Sequence, residues 1–536
     1  MKNIYRSLLI AFMIFLIGCS GGSTGTETVT KQINLAVVST TPLNAASDTA
    51  RDGDITVIFN GDLDVNTVNA TTFNIKDDQN NIVAAESITV NGMRAAYKPK
   101  IKLWAARKYT VVISSAIKGI NYGAMTDDYT FDFTTQNSQW SNPEIFSQAT
   151  YAKTAVDNNG NAIIVWWRYN NSNGHYEIVM SQLKSGTWSD PSVISGNATS
   201  VYSPSVAMDN NGNAIIIWND WGDWVNTGGI VMTEYRNGVW SEPRFINTTV
   251  FMSIFPPTVA MNDNGNALIV WSQNDIYKTE YISGSWSASV SVSSGGNAEY
   301  PEVVMNRKGN YIITWLYNDH YATHEKIYST VSQGGIWSEP TIISVVGNDP
   351  DMLYQIAFDN NDHAIVVWEQ RDGTSLQAFR NEYINGNWIG AVSVSTLGTQ
   401  ILSPKVAMDN NGNAIIAWQQ SVNNISQVFI SELKNGIWNT PTQVGTLGTF
   451  AANPLIKMDS SGNAIILWNQ ADGTDWQVFR SQLINGVWTG QYLVAVSHNQ
   501  LNKVQYDLAM DGSGDADMVW SQYDGSNWLL YRSQYH

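Results

Sequence analysis

The stretch DNNGNAIIIW, Asp209 to Trp218, recurs as DNNGNAIIAW, Asp409 to Trp418. Variants of it begin at Asp157, Asp209, Asn262, Asn306, Asp359, Asp409, Asp459 and Asp511, spaced 44 to 53 residues apart. Self-similarity at such a period marks an array of supersecondary units. No 3.6-residue apolar periodicity runs through it, so the units are built of strands. In the second copy four strands stand between turn signals: a from Ser203 to Met208, b from Asn213 to Trp218, c from Ile230 to Tyr235 and d from Trp240 to Ile246. Four-stranded units of this length are β-propeller blades.

Strand b is apolar without a break, as suits a strand covered on both faces by neighbouring sheets. The a–b and c–d turns carry Asn and Gly, which accept the left-handed backbone of tight hairpins. Pro143, Pro191, Pro243, Pro340 and Pro441 follow the Trp of strand d by three residues. A residue without an N–H belongs at an edge, so strand d is expected outermost. The array opens at Trp140-Ser141-Asn142-Pro143, a strand d with no a, b or c before it. It ends at LLYRSQYH, Leu529 to His536, a strand c with no d after it. The orphan d is therefore expected to complete the last blade, placing Trp140 beside Tyr531 and giving eight whole blades over residues 137–536. Of 22 tryptophans, eight end strand b and eight begin strand d. Their expected role is packing between blades, each ring burying about 150–250 Å².

The N-terminus has Lys2 and Arg6, an apolar run from Leu8 to Ile17, then Leu16-Ile17-Gly18-Cys19. Residues 1–18 read as a secretory signal. Leu-Ile-Gly-Cys resembles the bacterial lipobox, which implies cleavage before Cys19 and a lipid on its sulfur. Cys19 is the only cysteine in 536 residues. Ser20 rather than Asp follows it, so the resemblance implies an outer-membrane lipoprotein, on the surface or the periplasmic side. Residues 19–32 are Gly/Ser/Thr-rich and read as a flexible tether. The net charge of −17, with 29 Lys and Arg in no cluster, argues against a nucleic-acid partner. The lipid would be the contact with the membrane.

Residues 33–136 lack the repeat. The runs ITVIF (Ile55 to Phe59), FNIK (Phe73 to Lys76), YTVVIS (Tyr109 to Ser114) and YTFDFTT (Tyr129 to Thr135) suit an Ig-like β-sandwich. Pro42, Phe59, Asp62-Leu63-Asp64-Val65-Asn66-Thr67-Val68, Tyr109-Thr110-Val111 and Phe131-Asp132-Phe133-Thr134-Thr135 together resemble the SbsA-type bacterial Ig-like domain. That resemblance implies a spacer or adhesive module without catalytic residues. The repeat region in turn resembles sialidase/BNR-like propeller repeats. Ser431 to Trp438, SELKNGIW, departs from their Asp-box, lacking the Asp and shifting the Gly. Arg380, Arg480 and Arg532 on strand c are therefore expected as surface or inter-blade partners, not as a carboxylate clamp.

The whole chain is thus expected to be all-β, an Ig-like sandwich followed by an eight-bladed propeller closed by strand d. Loops d–a and b–c vary and open on one face, where a rigid scaffold usually carries its binding residues. The propeller tryptophans outside the two structural series are Trp167, Trp221, Trp224, Trp476 and Trp528, all near those loops. With Arg168, Tyr176, Asp220, Asp223, Tyr317, Asp319 and Asp472 they form the candidate ligand-binding set. Aromatic rings beside carboxylates and amides suit a glycan or a protein partner, extracellular or periplasmic. The Asp-Asn-Asn-Gly-Asn turns faintly resemble calcium loops, but turn geometry alone accounts for them. No cofactor, metal site or catalytic residue is assigned. A recognition module is favoured over a carbohydrate-active enzyme, glycoside hydrolase or lyase, on the same face, and over a scaffold without a ligand.

Overall fold

The structure, a computed structural model, describes residues 33–536 apart from the stretches 223–227, 250–254, 319–324, 346–349, 372–374, 396–399, 446–449, 472–474 and 498–503 and the single positions 79, 101, 106, 137, 197, 199 and 525. Cys19 and the tether lie outside the described residues, as do Asp223, Trp224, Asp319 and Asp472. Among the described residues no helix is long and apolar enough to cross a membrane.

The first domain is a sandwich of two four-stranded sheets. Its strands are β1 (Val37–Thr41), β2 (Ala46–Thr49), β3 (Ile55–Phe59), β4 (Phe73–Lys76), β5 (Ala85–Asn91), β6 (Arg94–Pro99), β7 (Lys108–Ile113) and β8 (Tyr129–Thr135). One sheet runs β1-β3-β6-β5 and the other β2-β8-β7-β4. Phe59, Phe73, Ile75, Tyr97, Val111, Phe131 and Phe133 fill the space between them. The four apolar runs named above are β3, β4, β7 and β8. The other four strands are polar or short, so their sequence carried no comparable signal.

The rest of the chain forms eight antiparallel sheets, each ordered a-b-c-d. In the first, strand a is Thr150–Val156, b is Ala162–Asn170 and c is His175–Lys184. Strand d there comes in two pieces, Thr187–Trp188 and Ser192–Val193, both paired with c. Pro191 sits between the pieces, but strand d is also broken at Ser287–Ser289 in blade 3, where there is no proline. In seven of the eight blades, all but blade 5, a strand-c hydroxyl meets this break. The hydroxyls of Ser181, Thr233, Thr279, Thr330, Ser431, Ser481 and Ser533 each donate to a strand-d carbonyl at 2.7–3.0 Å. The side chain thus takes an acceptor that the ladder would otherwise use.

In the last blade a is Gln505–Met510, b is Ala516–Tyr523, c is Trp528–Tyr535, and d is Glu144–Gln148 from the other end of the array. The orphan strand lies where the sequence placed it, four residues displaced in register. Trp140 pairs with Tyr535, not with Tyr531, whose partner is Ile145. Neighbouring strands a pack against one another all round, strand a of blade 8 against that of blade 1 included.

The strand-b tryptophans, Trp166, Trp218, Trp271, Trp315, Trp368, Trp418, Trp468 and Trp520, are all fully buried. Their clusters span adjacent sheets, as where Val367 of blade 5 meets Ile416 and Trp418 of blade 6. The strand-d tryptophans do a second job. Trp188, Trp240, Trp286, Trp337, Trp438, Trp488 and Trp140 each donate the indole N–H to a Gln or Glu on strand c of the preceding blade, at 2.8–3.4 Å. Val331 stands at the acceptor position before Trp388, and there the contact is apolar. Arg380, Arg480 and Arg532 lie 4.4–4.7 Å over the rings of Trp438, Trp140 and Trp188. They are inter-blade partners, as the sequence suggested.

Candidate functional site

The two faces of the propeller differ. On the turn-paved face each a–b turn is tied by its own leading Asp or, in blades 3 and 4, Asn. Asp209 Oδ1 accepts from the Asn211 and Asn213 amides at 2.9 and 2.8 Å, and Oδ2 from Asn213 Nδ2 at 2.7 Å. The turns are also tied to one another. Gly512 N–H donates to Asn158, Asn158 N–H to Asn210, Asn210 Nδ2 to Asp263, Arg307 N–H to Asn360, and Asn360 Nδ2 to Asn410. Arg307 of blade 4 pairs with Asp263 at 2.8 Å. A Cβ added at Gly512, in the opposite blade 8, would stand only 3.5 Å from Arg307 Nη2. This end of the axis is therefore constricted.

The Ig-like domain docks on the same face. Arg51, fully buried, donates Nε to the Leu103 carbonyl at 2.7 Å, Nη1 to Ser138 Oγ at 2.9 Å and to Asp515, and Nη2 to the Ser513 carbonyl at 2.8 Å. Lys102 Nζ reaches Asp515 at 2.8 Å, and Arg107 Nη2 donates to the Ser461 carbonyl at 3.1 Å. Asp515 and Ser461 sit in the a–b turns of blades 8 and 7. Burial alone would raise the Asp515 carboxyl, but His536, Arg51 and Lys102 hold it well below the usual range.

The loop-rich face is the opposite end of the propeller. There the structure joins Trp167, Tyr176 and Trp221 into one aromatic shelf with Tyr151, Tyr169 and Tyr202. Tyr202 is the hub, 5.4 Å from Trp167, 5.0 Å from Tyr176 and 5.1 Å from Trp221. Tyr151 stacks on Trp167 at 5.7 Å, and Tyr169 meets Tyr176 edge-on at 5.1 Å. Tyr151 and Tyr169 are about half exposed, at 53% and 50%. Trp221 Nε1 is buried with no acceptor among the described residues. Beside the shelf, Arg168 pairs with Glu177 at 3.2 Å, and Asp220 accepts from the Gly222 amide at 2.9 Å. Burial opposes ionisation of Glu177, yet Asn170, Asn173 and Arg168 bring its carboxyl below the usual range.

The remaining described candidates stand apart from the shelf. Tyr317 meets Tyr328 at 6.0 Å in blade 4, Trp476 meets Phe450 at 5.7 Å in blade 7, and Trp528 meets Tyr523 at 5.6 Å in blade 8. The described loop tryptophans thus do not converge on one cleft; Trp167 and Trp221 share the shelf.

Two features escaped the sequence reading. Tyr151 and Tyr202 belong to strands a and not to loops. They reach the face because strand a bulges there, with register shifts between Thr150 and Ala152 and between Tyr202 and Ser205. Tyr151, Ser203, Tyr300, Ser403 and Asn453 all have φ between 49° and 57° at this level. Bulges and left-handed non-glycine residues gather at sites where side chains must be re-aimed. The second feature is the ring of side chains four residues before each turn Asp or Asn: Lys153, Ser205, Thr258, Glu302, Gln355, Lys405, Leu455 and Asp507. Strand a is innermost, so this phase lines the channel. Glu302, Gln355 and Asp507 accept from backbone N–H groups of the next blade, at Ile356, Val406 and Thr154, over 3.0–3.3 Å. Burial pushes the Glu302 carboxyl up to about 7 against the pull of Lys405, Lys457 and Lys153.

Residues 31–135 match the Big_5 family, a bacterial Ig-like domain. Comparison with curated proteins gives no match. Among solved structures, the chain is similar to the β-propeller domain of the Trilobed protease from Pyrococcus furiosus, at 9% identity and TM-score 0.39 over 66% of this chain and 98% of that one. It is similar to a PL25 ulvan lyase bound to -[GlcA(1-4)Rha3S]-, at 12% identity and TM-score 0.41 over 59% and 89%. It is also similar to the α-L-arabinofuranosidase Arb93A from Fusarium graminearum, at 12% identity and TM-score 0.34 over 74% and 96%.

Proposed function

We propose that this protein is an exported recognition module that binds glycan on the loop-rich propeller face. The observation that carries the reading is the six-ring shelf of Tyr151, Trp167, Tyr169, Tyr176, Tyr202 and Trp221. Half-exposed rings offer apolar faces to sugar rings, while Arg168, Glu177 and Asp220 supply polar neighbours for hydroxyl groups. In this reading Cys19 carries the lipid, the outer membrane is the site, and the Ig-like domain is the spacer. Docking of that domain on the turn-paved face supports it, because the shelf then faces away from the anchored end. Glycan-array binding by the full chain tests the proposal. Trp221→Ala and Tyr202→Ala are expected to abolish the signal without unfolding the protein; array binding unchanged in both variants would overturn it.

A second reading, hydrolase or lyase, rests on Glu302. Glu302 lines the channel, accepts from the Ile356 amide and faces Lys405, Lys457 and Lys153, and burial raises its carboxyl, the direction a general acid requires. Product release from a polysaccharide panel, lost in Glu302→Gln, would establish it.

A further inference from the structure

The channel position that accepts a neighbour's N–H in blades 4, 5 and 8 is occupied by lysine in blades 1 and 6. Lysine has three donors and no acceptor, so it cannot make that bond. Lys153 instead lies 3.7 Å from Asp507. No hydrogen bond or ion pair of the Lys405 or Lys457 ammonium occurs among the described residues. Lys457 stands two positions further along strand a of blade 7, where blades 1, 2, 3, 5, 6 and 8 place alanine. Lys405 feels Glu302, Lys153, Lys457 and Glu369, and desolvation lowers its affinity for a proton. Three cations, Lys153, Lys405 and Lys457, thus gather beside Glu302, Asp507 and Glu369, inside a chain of net charge −17. Lys405 and Lys457 are partly buried and without a direct partner among the described residues, an arrangement that an anion would relieve.

The turn-paved end is narrowed by the side chains from Asn158 to Asn410 and by Arg307. At the other end, Tyr151 of the shelf is only two residues from Lys153 on the same strand.

We propose that the central channel, entered from its loop-side mouth, binds the anionic substituent of a ligand, a carboxylate or a sulfate ester, through Lys153 and Lys405, with Lys457 two residues deeper along strand a. Where that substituent is carried by a sugar, the inference rests on the glycan reading of the shelf. A chain bearing one acidic group could lie on the aromatic rings and turn its charged end inward to Lys153.

Titration calorimetry on the full chain tests it, with a uronate oligosaccharide, its carboxyl-reduced neutral analogue, a sulfated oligosaccharide of equal length, and inorganic sulfate. The acidic oligosaccharides are expected to bind at least about tenfold more tightly than the neutral one. Lys405→Met should remove that preference. Glu302→Gln, which keeps an acceptor for the Ile356 amide and deletes a negative charge, should strengthen acidic binding. This second variant guards against a misfolded first one, since a gain in affinity cannot come from unfolding. Tight binding of inorganic sulfate with no gain from the sugar supports the anion site and removes the sugar. Equal affinity for acidic and neutral probes, no saturable binding of any acidic probe, or indifference to both substitutions overturns the proposal. If Trp221→Ala has no effect while Lys405→Met does, the shelf reading falls and the channel site stands; the reverse result sinks the channel site alone.

Discussion

Glu302 and Glu382 are both glutamates enclosed by the propeller, and their surroundings drive them in opposite directions. Glu302 stands in the channel with one amide donor and no direct ion pair among the described residues, and desolvation raises it from 4.5 to about 7. Glu382 is also penalised by burial, but His363, Trp438 and Arg380 all reach it and bring it down to about 2. The consequences for stability are opposite in sign. The raised carboxyl of Glu302 favours the folded state below pH 4.5, and that contribution is lost as pH rises through about 7. The depressed carboxyl of Glu382 favours the folded state above pH 4.5, and that contribution is lost as pH falls toward 2. Glu302→Gln should therefore flatten the decline in stability between pH 4.5 and 7 by an amount on the order of 3 kcal/mol. Denaturant midpoints measured across that range check it; an unchanged slope would show that Glu302 titrates normally.

The strand-d tryptophans make the protein its own control. Trp438 donates to Glu382 at 3.0 Å and carries Arg380 on its ring, whereas Trp388 faces Val331 in an apolar contact. Replacing each by Phe keeps an aromatic ring and deletes the N–H. Trp438→Phe should cost about 1.5–3 kcal/mol, because a charged acceptor is left short of a donor, and Trp388→Phe distinctly less. Calorimetric melting of both variants compares them directly; equal costs would mean that the hydrogen-bonded girdle adds nothing. Elements of this kind were legible because they repeat. Eight copies of one turn and two tryptophans per unit outweigh any local ambiguity in a single strand. The acceptor side of the girdle was visible too, in the Glu or Gln following Asn381, Ser481 and Ser533, but nothing in one sequence says that it reaches across to another blade. The channel was not legible, because its lining residue changes among Lys, Ser, Thr, Glu, Gln, Leu and Asp around the ring and so carries no periodic signal. Tyr202 was hidden for a different reason. Alternation along strand a would not bring it to the loop face, and the bulge does.

At the scale of the molecule, one buried ion pair is the centre of the contact between the two domains, beside Lys102–Asp515 and Arg107–Ser461. Arg51 spends its donors on Leu103, Ser138, Ser513 and Asp515, joining sandwich, linker and blade 8 at a single point. Removing one partner from a buried pair costs about 3–5 kcal/mol. Lys102 and His536 still face Asp515, so Arg51→Met should fall at the low end of that range. The expected result is separate melting of the Ig-like domain and the propeller where the native chain melts as one. A single transition at the native temperature would show that the domains are held elsewhere. The domain order and the closure by an orphan strand were readable from the sequence. The docking was not, since Arg51 stands among polar residues in an ordinary-looking turn and its partner is more than 460 positions away.

The placement of Asp515 has a mechanical corollary. The strand that closes the ring, Glu144–Gln148, follows directly on the sandwich, so a pull on the N-terminal end would by connectivity fall first on the seam of blade 8 and peel it open. Arg51 reroutes that tension. It grips the hairpin between the two innermost strands of the same blade, which are wedged between blades 7 and 1, and the load enters the assembly at its best-braced point while the seam stays slack.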